Sequence, residues 1–341
     1  MCLEALATVR TATHFARNDY RCLSALQTTN VSALLLQDIC VLLSSPLYFS
    51  KPPRDGSVAK TMKTIAVLLS CLATVLAQNS VPCGVSVVQP VTKRIVGGVM
   101  AAPGSWPWMV LIVDDSGTIS GSGAIIDQHV ILTSAQHFEG IGYSVFDINL
   151  HRWKLYAGSH NISTTDPHEK TYHIRRVVLH PGYNTTSLEN DIALIITVEP
   201  MQWNDFTRPG CLPDAQHGYA VGDQCYLPGW GSTSNTGNEE SLNQLLYPIV
   251  DDSICANHWD DFLPATEICA GYENQHKDFC GDDIGSPLMC KKSNGAWYIE
   301  GIASSGGDCA QANEPGIFED VTKYQDWILK SMEEAGYPYQ Y

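Results

Sequence analysis

The stretch that decides the fold is Cys280-Gly-Asp-Asp-Ile-Gly-Ser-Pro-Leu-Met-Cys290. Two cysteines enclose a segment that begins with glycine and aspartate, residues typical of turns, and ends with apolar residues. Its centre is the aliphatic residue Ile284, which lies between Asp283 and Gly285. An aliphatic side chain has neither a lone pair to attack a carbonyl nor a proton for a base to remove. The centre of this segment therefore lacks a nucleophile.

Five further motifs accompany this segment along the chain. They are Arg94-Ile-Val-Gly-Gly98, Ser105-Trp-Pro-Trp108, Pro228-Gly-Trp-Gly231, Pro248-Ile-Val250 and Pro315-Gly316. Each motif is weak alone, but together they resemble the chymotrypsin-like serine proteases. In that family the loop between the two cysteines reads Gly-Asp-Ser-Gly-Gly-Pro-Leu, so Ile284 stands at the nucleophile and Ser286 at a glycine. Because Cys280 and Cys290 keep the family's spacing, no insertion or deletion moves a serine into register.

The pattern of apolar runs predicts an all-β fold. Short runs bounded by Gly, Pro, Asn and Asp indicate antiparallel strands closed into barrels. The runs are Trp108–Val113, Ile125–Thr133, Ile174–His180, Ile192–Thr197, Cys225–Leu227, Leu245–Val250, Trp297–Ala303 and Gly316–Val321. One helix is predicted over Val321–Glu334, because its apolar residues form a single stripe. The resemblance implies two antiparallel β-barrels, about 95–205 and about 206–341, with a cleft between them and a C-terminal α-helix.

The resemblance also locates the general base. The family carries it in a strand end similar to Thr-Ala-Ala-His-Cys, which Leu132-Thr-Ser-Ala-Gln-His137 matches without gaps. Gln136 then stands at the base and His137 at the following cysteine, while Gly121 stands at that cysteine's disulfide partner. A glutamine does not titrate near neutral pH and cannot act as a general base. A register with one inserted residue would make His137 the base instead, but Ile284 would still be unable to attack.

Two acidic residues complete the comparison with the family's catalytic centre. Asp191, in Asn190-Asp-Ile-Ala-Leu-Ile195, matches the buried acid that orients the base. We interpret it as a satisfied buried polar group whose carboxylate accepts an amide hydrogen bond. Asp282 stands at the glycine whose backbone N–H, with that of the nucleophile, forms the oxyanion hole. Its carboxylate would place negative charge where negative charge develops during acyl transfer.

Lys93-Arg94, before Ile95, is similar to a zymogen cleavage site for a trypsin-like enzyme. In the family, the freed amino group of the residue equivalent to Ile95 pairs with the carboxylate equivalent to Asp283. A buried pair of this kind is tolerated only when both partners are present. Both are present here, so we expect that cleavage still switches the protein between two conformations. The alternative is an inherited pair without current use.

The resemblance implies a specificity pocket that is half intact. Asp278 stands where trypsin-like members place the acid that receives Arg or Lys, and Gly306 and Gly316 keep the pocket walls open. Phe279 could fill this pocket, and Ser305 replaces an aromatic wall residue. An occluded pocket is favoured, because a buried carboxylate needs a partner. Binding of a basic side chain without cleavage is the alternative.

Targeting signals indicate secretion. Met62-Lys63 followed by the apolar run Thr64–Ala77 is typical of a signal peptide over residues 62–77, and the run is shorter than the roughly 20 residues of a membrane span. Because a secretory signal begins at the initiator methionine, we expect residues 1–61 not to belong to the native protein. The alternative is an unusually long leader. Residues 78–94 then form a propeptide and residues 95–341 the protease-like domain.

Cysteine usage agrees with an oxidising compartment. Of the 12 cysteines, Cys2, Cys22, Cys40 and Cys71 fall within residues 1–77, and the eight others allow 105 pairings. The resemblance implies one of these pairings. It joins Cys83–Cys211, Cys225–Cys290, Cys255–Cys269 and Cys280–Cys309, leaving no cysteine unpaired. A complete disulfide set behind a signal peptide is typical of a secreted protein.

Composition restricts the partners. The 341-residue chain has 20 basic and 36 acidic residues, a formal net charge of −16. Without residues 1–77, 13 basic and 32 acidic residues remain, a net charge of −19. This charge disfavours nucleic acid and anionic membranes and favours basic partners, although solubility alone also explains it. Asn161-Ile-Ser163 and Asn184-Thr-Thr186 are N-glycosylation sequons. No metal or other cofactor is expected.

The sequence therefore predicts a secreted, catalytically inactive serine protease homologue, and we expect it to be a monomer without a membrane span. It would act by binding a protease, a protease inhibitor or another secreted protein, as a decoy, a cofactor or a recognition protein. Recognition of sugars or surfaces through its loops is a further possibility. The alternative is an active secreted endopeptidase with trypsin-like or chymotrypsin-like specificity. It requires Gln136, Asp282 and Ile284 all to be sequence errors.

Overall fold

The computed structural model describes residues 81–90, 98–114, 116–139, 150, 153–214, 218–231, 238, 240–272, 283–306 and 315–339. Its first half is a closed six-stranded antiparallel barrel with strand order β2-β3-β4-β7-β6-β5. The strands are β2 (Met109–Val113), β3 (Ile119–Asp127), β4 (Val130–Thr133), β5 (Lys154–Ala157), β6 (Lys170–Leu179) and β7 (Ala193–Thr197). Every residue of β2, β4 and β7 is buried, so these runs are apolar throughout rather than alternating.

The second half is a seven-stranded antiparallel sheet with strand order β1-β9-β8-β11-β12-β13-β10. Its strands are β1 (Val99–Met100), β8 (Cys225–Gly229), β9 (Asn243–Leu246), β10 (Glu267–Ala270), β11 (Pro287–Lys291), β12 (Trp297–Ser305) and β13 (Gly316–Asp320). The chain beyond β9 joins β10 through hydrogen bonds from Val250 N to Cys269 O, 3.0 Å, and from Gly271 N to Pro248 O, 2.8 Å. These bonds connect the chain after β9 with β10, the edge strand at the opposite end of the sheet.

Two helices are described in the second half. Helix α1 (Asp252–His258) begins where the Asp251 side chain accepts a hydrogen bond from Ser253 N. Helix α2 (Val321–Ala335) begins in the same way at Asp320 and ends at Gly336, whose φ of 88° is left-handed. The predicted helix is thereby confirmed. Among the described residues, no helix is long and apolar enough to cross a membrane.

An aromatic cluster fixes one half of the protease-like domain against the other. Trp106, just before β2, packs at 4.9 Å between ring centroids against Trp297 of β12 and at 5.9 Å against Trp108. Its indole N–H donates to Gln244 Oε1 of β9 at 3.0 Å. Buried aromatic rings with a satisfied polar atom contribute strongly to packing.

Three of the four implied disulfides are present in the structure. They are Cys83–Cys211, Cys225–Cys290 and Cys255–Cys269. The fourth, Cys280–Cys309, lies outside the described residues, as do residues 1–80 and 91–97.

The strand predictions were partly wrong at their boundaries. The apolar run Ile125–Thr133 is two strands, β3 and β4, because Gln128 and His129 form a turn between them. The run Leu245–Val250 is a strand only to Leu246, where β9 ends. Strands β1, β5, β10 and β11 and helix α1 were not predicted. Their sequences are short, and all except β1 contain charged residues that interrupt the apolar pattern.

Candidate functional site

Gln136 lies at the end of β4 beside the carboxylate of Asp191. The buried strand continues through Ser134 and Ala135 into a 3₁₀ turn over Gln136–Phe138. The side-chain nitrogen Gln136 Nε2 donates to Asp191 Oδ2 at 2.6 Å, and the backbone Gln136 N donates to Asp191 Oδ1 at 2.8 Å. Gln136 Nε2 also donates to the backbone oxygen of Ser304 at 2.9 Å. Both amide hydrogens of Gln136 therefore have acceptors.

The carboxylate of Asp191 is fully buried, with 0% of the residue exposed. In addition to Gln136, it receives the hydroxyl of Ser134, whose Oγ lies 2.8 and 2.7 Å from the two carboxylate oxygens. The hydroxyl of Ser304 donates to Oδ2 at 2.9 Å. Burial raises the pKa of Asp191 above its usual value, and the hydrogen bonds from Ser134, Gln136 and Ser304 oppose this increase only in part. Neutral donors thus replace the titratable partner that a triad requires.

His137 contacts groups other than Asp191. Its Nε2 donates to the backbone oxygen of Ile284 at 3.1 Å, and its Nδ1 lies 3.4 Å from Ser120 Oγ. Burial lowers the pKa of His137 to about 4, so the ring is neutral at physiological pH. Gln136, rather than His137, therefore donates to the Asp191 carboxylate, which favours the register without an inserted residue.

The ring of His137 fills a slot lined by two glycines. A Cβ added at Gly121 would lie 2.4 Å from His137 Cε1, and one added at Gly285 would lie 2.7 Å from His137 Nε2. Both glycines also have positive φ, 147° and 79°. The imidazole therefore occupies the place where the resemblance implied a disulfide between residues 121 and 137, and it connects barrel one to the Ile284 loop by hydrogen bonds.

Ile284 is held in this loop by its backbone. Its carbonyl oxygen accepts from Ser122 N at 3.0 Å as well as from His137. Its partly buried side chain packs against the apolar core of the second sheet. Two residues on, Ser286 is 0% exposed, and its hydroxyl has no hydrogen-bond partner among the described residues. The serine nearest to Ile284 in sequence is therefore buried and does not present its hydroxyl to solvent.

Asp283 lies in a cradle of glycine backbone. Its carboxylate Oδ1 accepts a hydrogen bond from Gly231 N at 2.7 Å, and the residue is 8% exposed. A Cβ added at Gly229 or Gly231 would lie 1.9 or 2.2 Å from a carboxylate oxygen, so only glycine fits there. Arg94 and Ile95, the predicted cleavage site and partner of Asp283, lie outside the described residues.

The remaining predicted positions are described only in part. Asp282 of the oxyanion position, and Asp278 and Phe279 of the pocket, lie outside the described residues. Gly306 is exposed at the end of β12, and Gly316 is buried in β13, opposite Ala270.

The sequence interpretation missed two hydroxyl donors to Asp191. Ser134 stands where the family pattern Thr-Ala-Ala-His carries alanine, so an additional hydroxyl next to the base position was a readable signal. Ser304 is distant in sequence from Asp191, and only the pairing of β12 within the second sheet places it there.

Comparisons with known proteins agree with this fold. The family described as Trypsin matches residues 95–328. The chain is 31% identical over 252 residues to "Transmembrane protease serine 9" of Rattus norvegicus, an alignment covering 73% of this chain and 23% of that protein. The chain thus spans less than a quarter of the length of that relative.

Proposed function

Because the chain belongs to the trypsin family of chymotrypsin-like serine proteases, we propose that it is a secreted, catalytically inactive member that acts by binding. Acyl transfer in this fold needs a nucleophile, a base that takes its proton, and an acid that orients the base. Of these three groups the chain retains only the acid, Asp191. Its site therefore favours recognition over hydrolysis.

The observation that carries this proposal is the position of Gln136 on Asp191. An amide cannot take up a proton near neutral pH, and both of its hydrogens already have acceptors, Asp191 Oδ2 and the Ser304 carbonyl. Gln136 thus occupies the base position as a hydrogen-bond donor to Asp191 and Ser304 and offers no group that could accept the nucleophile's proton. Replacing Ile284 alone by serine would leave that serine without a base.

Burial of Ser286 supports the same conclusion. A surrogate nucleophile must present its hydroxyl to the cleft and must have a base within hydrogen-bond reach. The Ser286 hydroxyl is buried, and a Cβ on Gly229 would lie 3.3 Å from it, which places it on the interior side of the loop near Asp283.

A fluorophosphonate probe, which labels only activated serines, tests the proposal. The full chain is secreted from cultured cells, treated with trypsin to cleave after Arg94, and incubated with the probe. We expect no labelling of the natural chain. The doubly substituted chain, Ile284→Ser with Gln136→His, shows whether base and nucleophile alone restore labelling. Labelling of the natural chain that is lost in Ser286→Ala would overturn the proposal.

An active endopeptidase is the competing function, and the family assignment favours it. It requires the codons for Gln136, Asp282 and Ile284 all to be read wrongly, because each substitution by itself damages a different part of the mechanism. Sequencing the transcript at these three codons decides between the two functions. Agreement with the present sequence removes the endopeptidase alternative.

Processing follows from the same family membership. We propose cleavage after Arg94, with the freed amino group of Ile95 received by Asp283. The disulfide Cys83–Cys211 would keep the propeptide attached, because it joins residue 83 to barrel two. Electrophoresis with and without reductant after trypsin treatment tests this. A second fragment should separate only under reducing conditions.

Secretion and glycosylation complete the proposal. Residues 62–77 would direct export, and Asn184 is exposed in its loop, whereas Asn161 is half-buried beside Ser241. The partner would be a protease, a protease inhibitor or another secreted protein with a basic surface, because the net charge of residues 78–341 is −19. Retention of basic secreted proteins on the immobilised chain should weaken as salt increases, since salt screens exposed charges.

A further inference from the structure

Two buried glutamates face each other behind Asp191. Glu267 of β10 and Glu319 of β13 are directly opposite in the antiparallel register. Side chains at such positions have Cβ atoms about 5 Å apart on one face of the sheet. The two residues are 7% and 0% exposed. Like charges directly opposite each other are destabilising even on an exposed sheet, so this arrangement is unfavourable when both carboxyls are ionised.

Hydrogen bonds connect this glutamate pair to the Gln136 site. Glu319 Oε1 accepts from Asp191 N at 2.7 Å, and Glu319 Oε2 accepts from the Tyr324 hydroxyl of α2 at 2.5 Å. Glu267 Oε2 accepts from Leu263 N at 2.7 Å. The backbone of Asp191 is therefore bound to Glu319, while its carboxylate is bound to Gln136.

No described cation compensates the pair. The charged groups that act on it are the acids Asp191 and Glu189, before β7, and Asp261, before β10. From α2 the neutral Tyr324 faces Glu319, and His180 packs edge-on against Tyr324 at 5.2 Å. Burial, together with these acids, raises the pKa of Glu267 to about 7 and that of Glu319 to about 8.

We propose that Glu267 and Glu319 hold one proton in common at neutral pH, and that release of this proton to solvent at alkaline pH loosens the anchoring of Asp191 and Gln136. Two adjacent carboxylates without a cation cannot both ionise at ordinary pH, so one proton belongs to the pair rather than to either residue. When it leaves, repulsion separates β10 from β13, and Glu319 carries the Asp191 backbone with it.

The direction of the effect follows from proton linkage. Between the ordinary pKa of glutamate, about 4.3, and the raised values of the pair, the folded protein binds more protons than the unfolded chain. Stability contributed by the pair is present below this window and is lost as pH rises through it.

Carboxyl-carbon NMR of the full secreted chain, labelled in glutamate, tests the shared proton directly. We expect at least one resonance of the pair to titrate with a midpoint above about 6, well above the ordinary pKa of a glutamate side chain, about 4.3. Glu267→Gln and Glu319→Gln assign the resonances. Midpoints below about 5 for both residues would overturn the proposal.

The coupling to the site is measured on the side-chain amide of Gln136. Its NMR shift should follow the midpoint of the pair in the natural chain and should lose this dependence in Glu267→Gln. Glu333→Gln, a substitution on the exposed face of α2, should leave the dependence unchanged. An amide shift that ignores the pair's titration would refute the coupling. If Glu319→Gln fails to fold, the natural chain and Glu267→Gln still decide the question.

Discussion

Replacing Ser134 by alanine measures how much one of the hydroxyl donors around Asp191 contributes to the free energy of unfolding. The substitution removes a hydroxyl that lies 2.8 and 2.7 Å from the two oxygens of a fully buried carboxylate. A hydrogen bond to a charged group contributes about 1.5–3 kcal/mol, and both Ser134 and Asp191 are fully buried. We therefore expect Ser134→Ala to lower the free energy of unfolding by about 2 kcal/mol.

The assay is urea denaturation at pH 7, followed by tryptophan fluorescence. A loss of this size corresponds to a decrease in melting temperature of about 4–8 °C for a domain of this size. Ser122→Ala is the matched control. Ser122 is equally buried, in the adjacent strand β3, but its hydroxyl has no hydrogen-bond partner among the described residues.

The control removes a buried hydroxyl without breaking a bond, so it should leave stability unchanged or increase it slightly. The comparison thus separates the hydrogen bonds to Asp191 from the general effect of changing a buried serine. Equal stability losses in Ser134→Ala and Ser122→Ala would refute the reasoning, because Asp191 would then not depend on the hydroxyl of Ser134.

Two further predictions concern the slot occupied by His137. Gly121→Ala should lower the free energy of unfolding by about 2 kcal/mol or more, because its Cβ would lie 2.4 Å from the His137 ring and 2.6 Å from the Ile284 carbonyl. In the comparison variant Gly117→Ala, the added Cβ meets nothing within 4 Å. Thermal melting of both variants checks this prediction. The pKa of His137 is lowered to about 4 in the folded protein, whereas a histidine in the unfolded chain has a pKa of about 6.5. Between these two pH values the unfolded chain therefore binds more protons than the folded protein does. Stability should therefore fall as pH falls through this window, by at most about 3 kcal/mol, and His137→Gln should lack this loss in urea denaturation at pH 4.5 and 7.

The strands of barrel one were predictable because their burial shows in the local sequence as uninterrupted apolar residues. Strands β2, β4 and β7 are buried at every residue, so each is a continuous apolar run. Strand β10 was not predicted, because its first residue, Glu267, is charged in sequence but buried in the fold. The position opposite Glu319 exists only after β10 and β13 pair, and no local pattern indicates that pairing.

The pairing of Gln136 with Asp191 was expected from the resemblance, and the structure has it. The hydroxyls of Ser134 and Ser304 were not part of that expectation, because a motif records which residue is replaced rather than which new bonds satisfy the remaining groups. His137 shows the same limit. The sequence indicated the loss of a disulfide, but the inserted ring and its bond to Ile284 O depend on two glycines that are distant in sequence.

The donor set around Asp191 also constrains how this lineage can evolve. Gln136, Ser134 and Ser304 together stabilise a buried carboxylate, so each contributes to folding whether or not the protein cleaves anything. On the proposed function, a histidine at position 136 would have to displace the bonds that Gln136 makes, and it would gain no activity until residue 284 also changed. That single substitution would then add no activity and would cost stability. On the proposed function, catalysis is therefore difficult to regain, and descendants of this protein are expected to diversify in their surfaces rather than to recover hydrolysis.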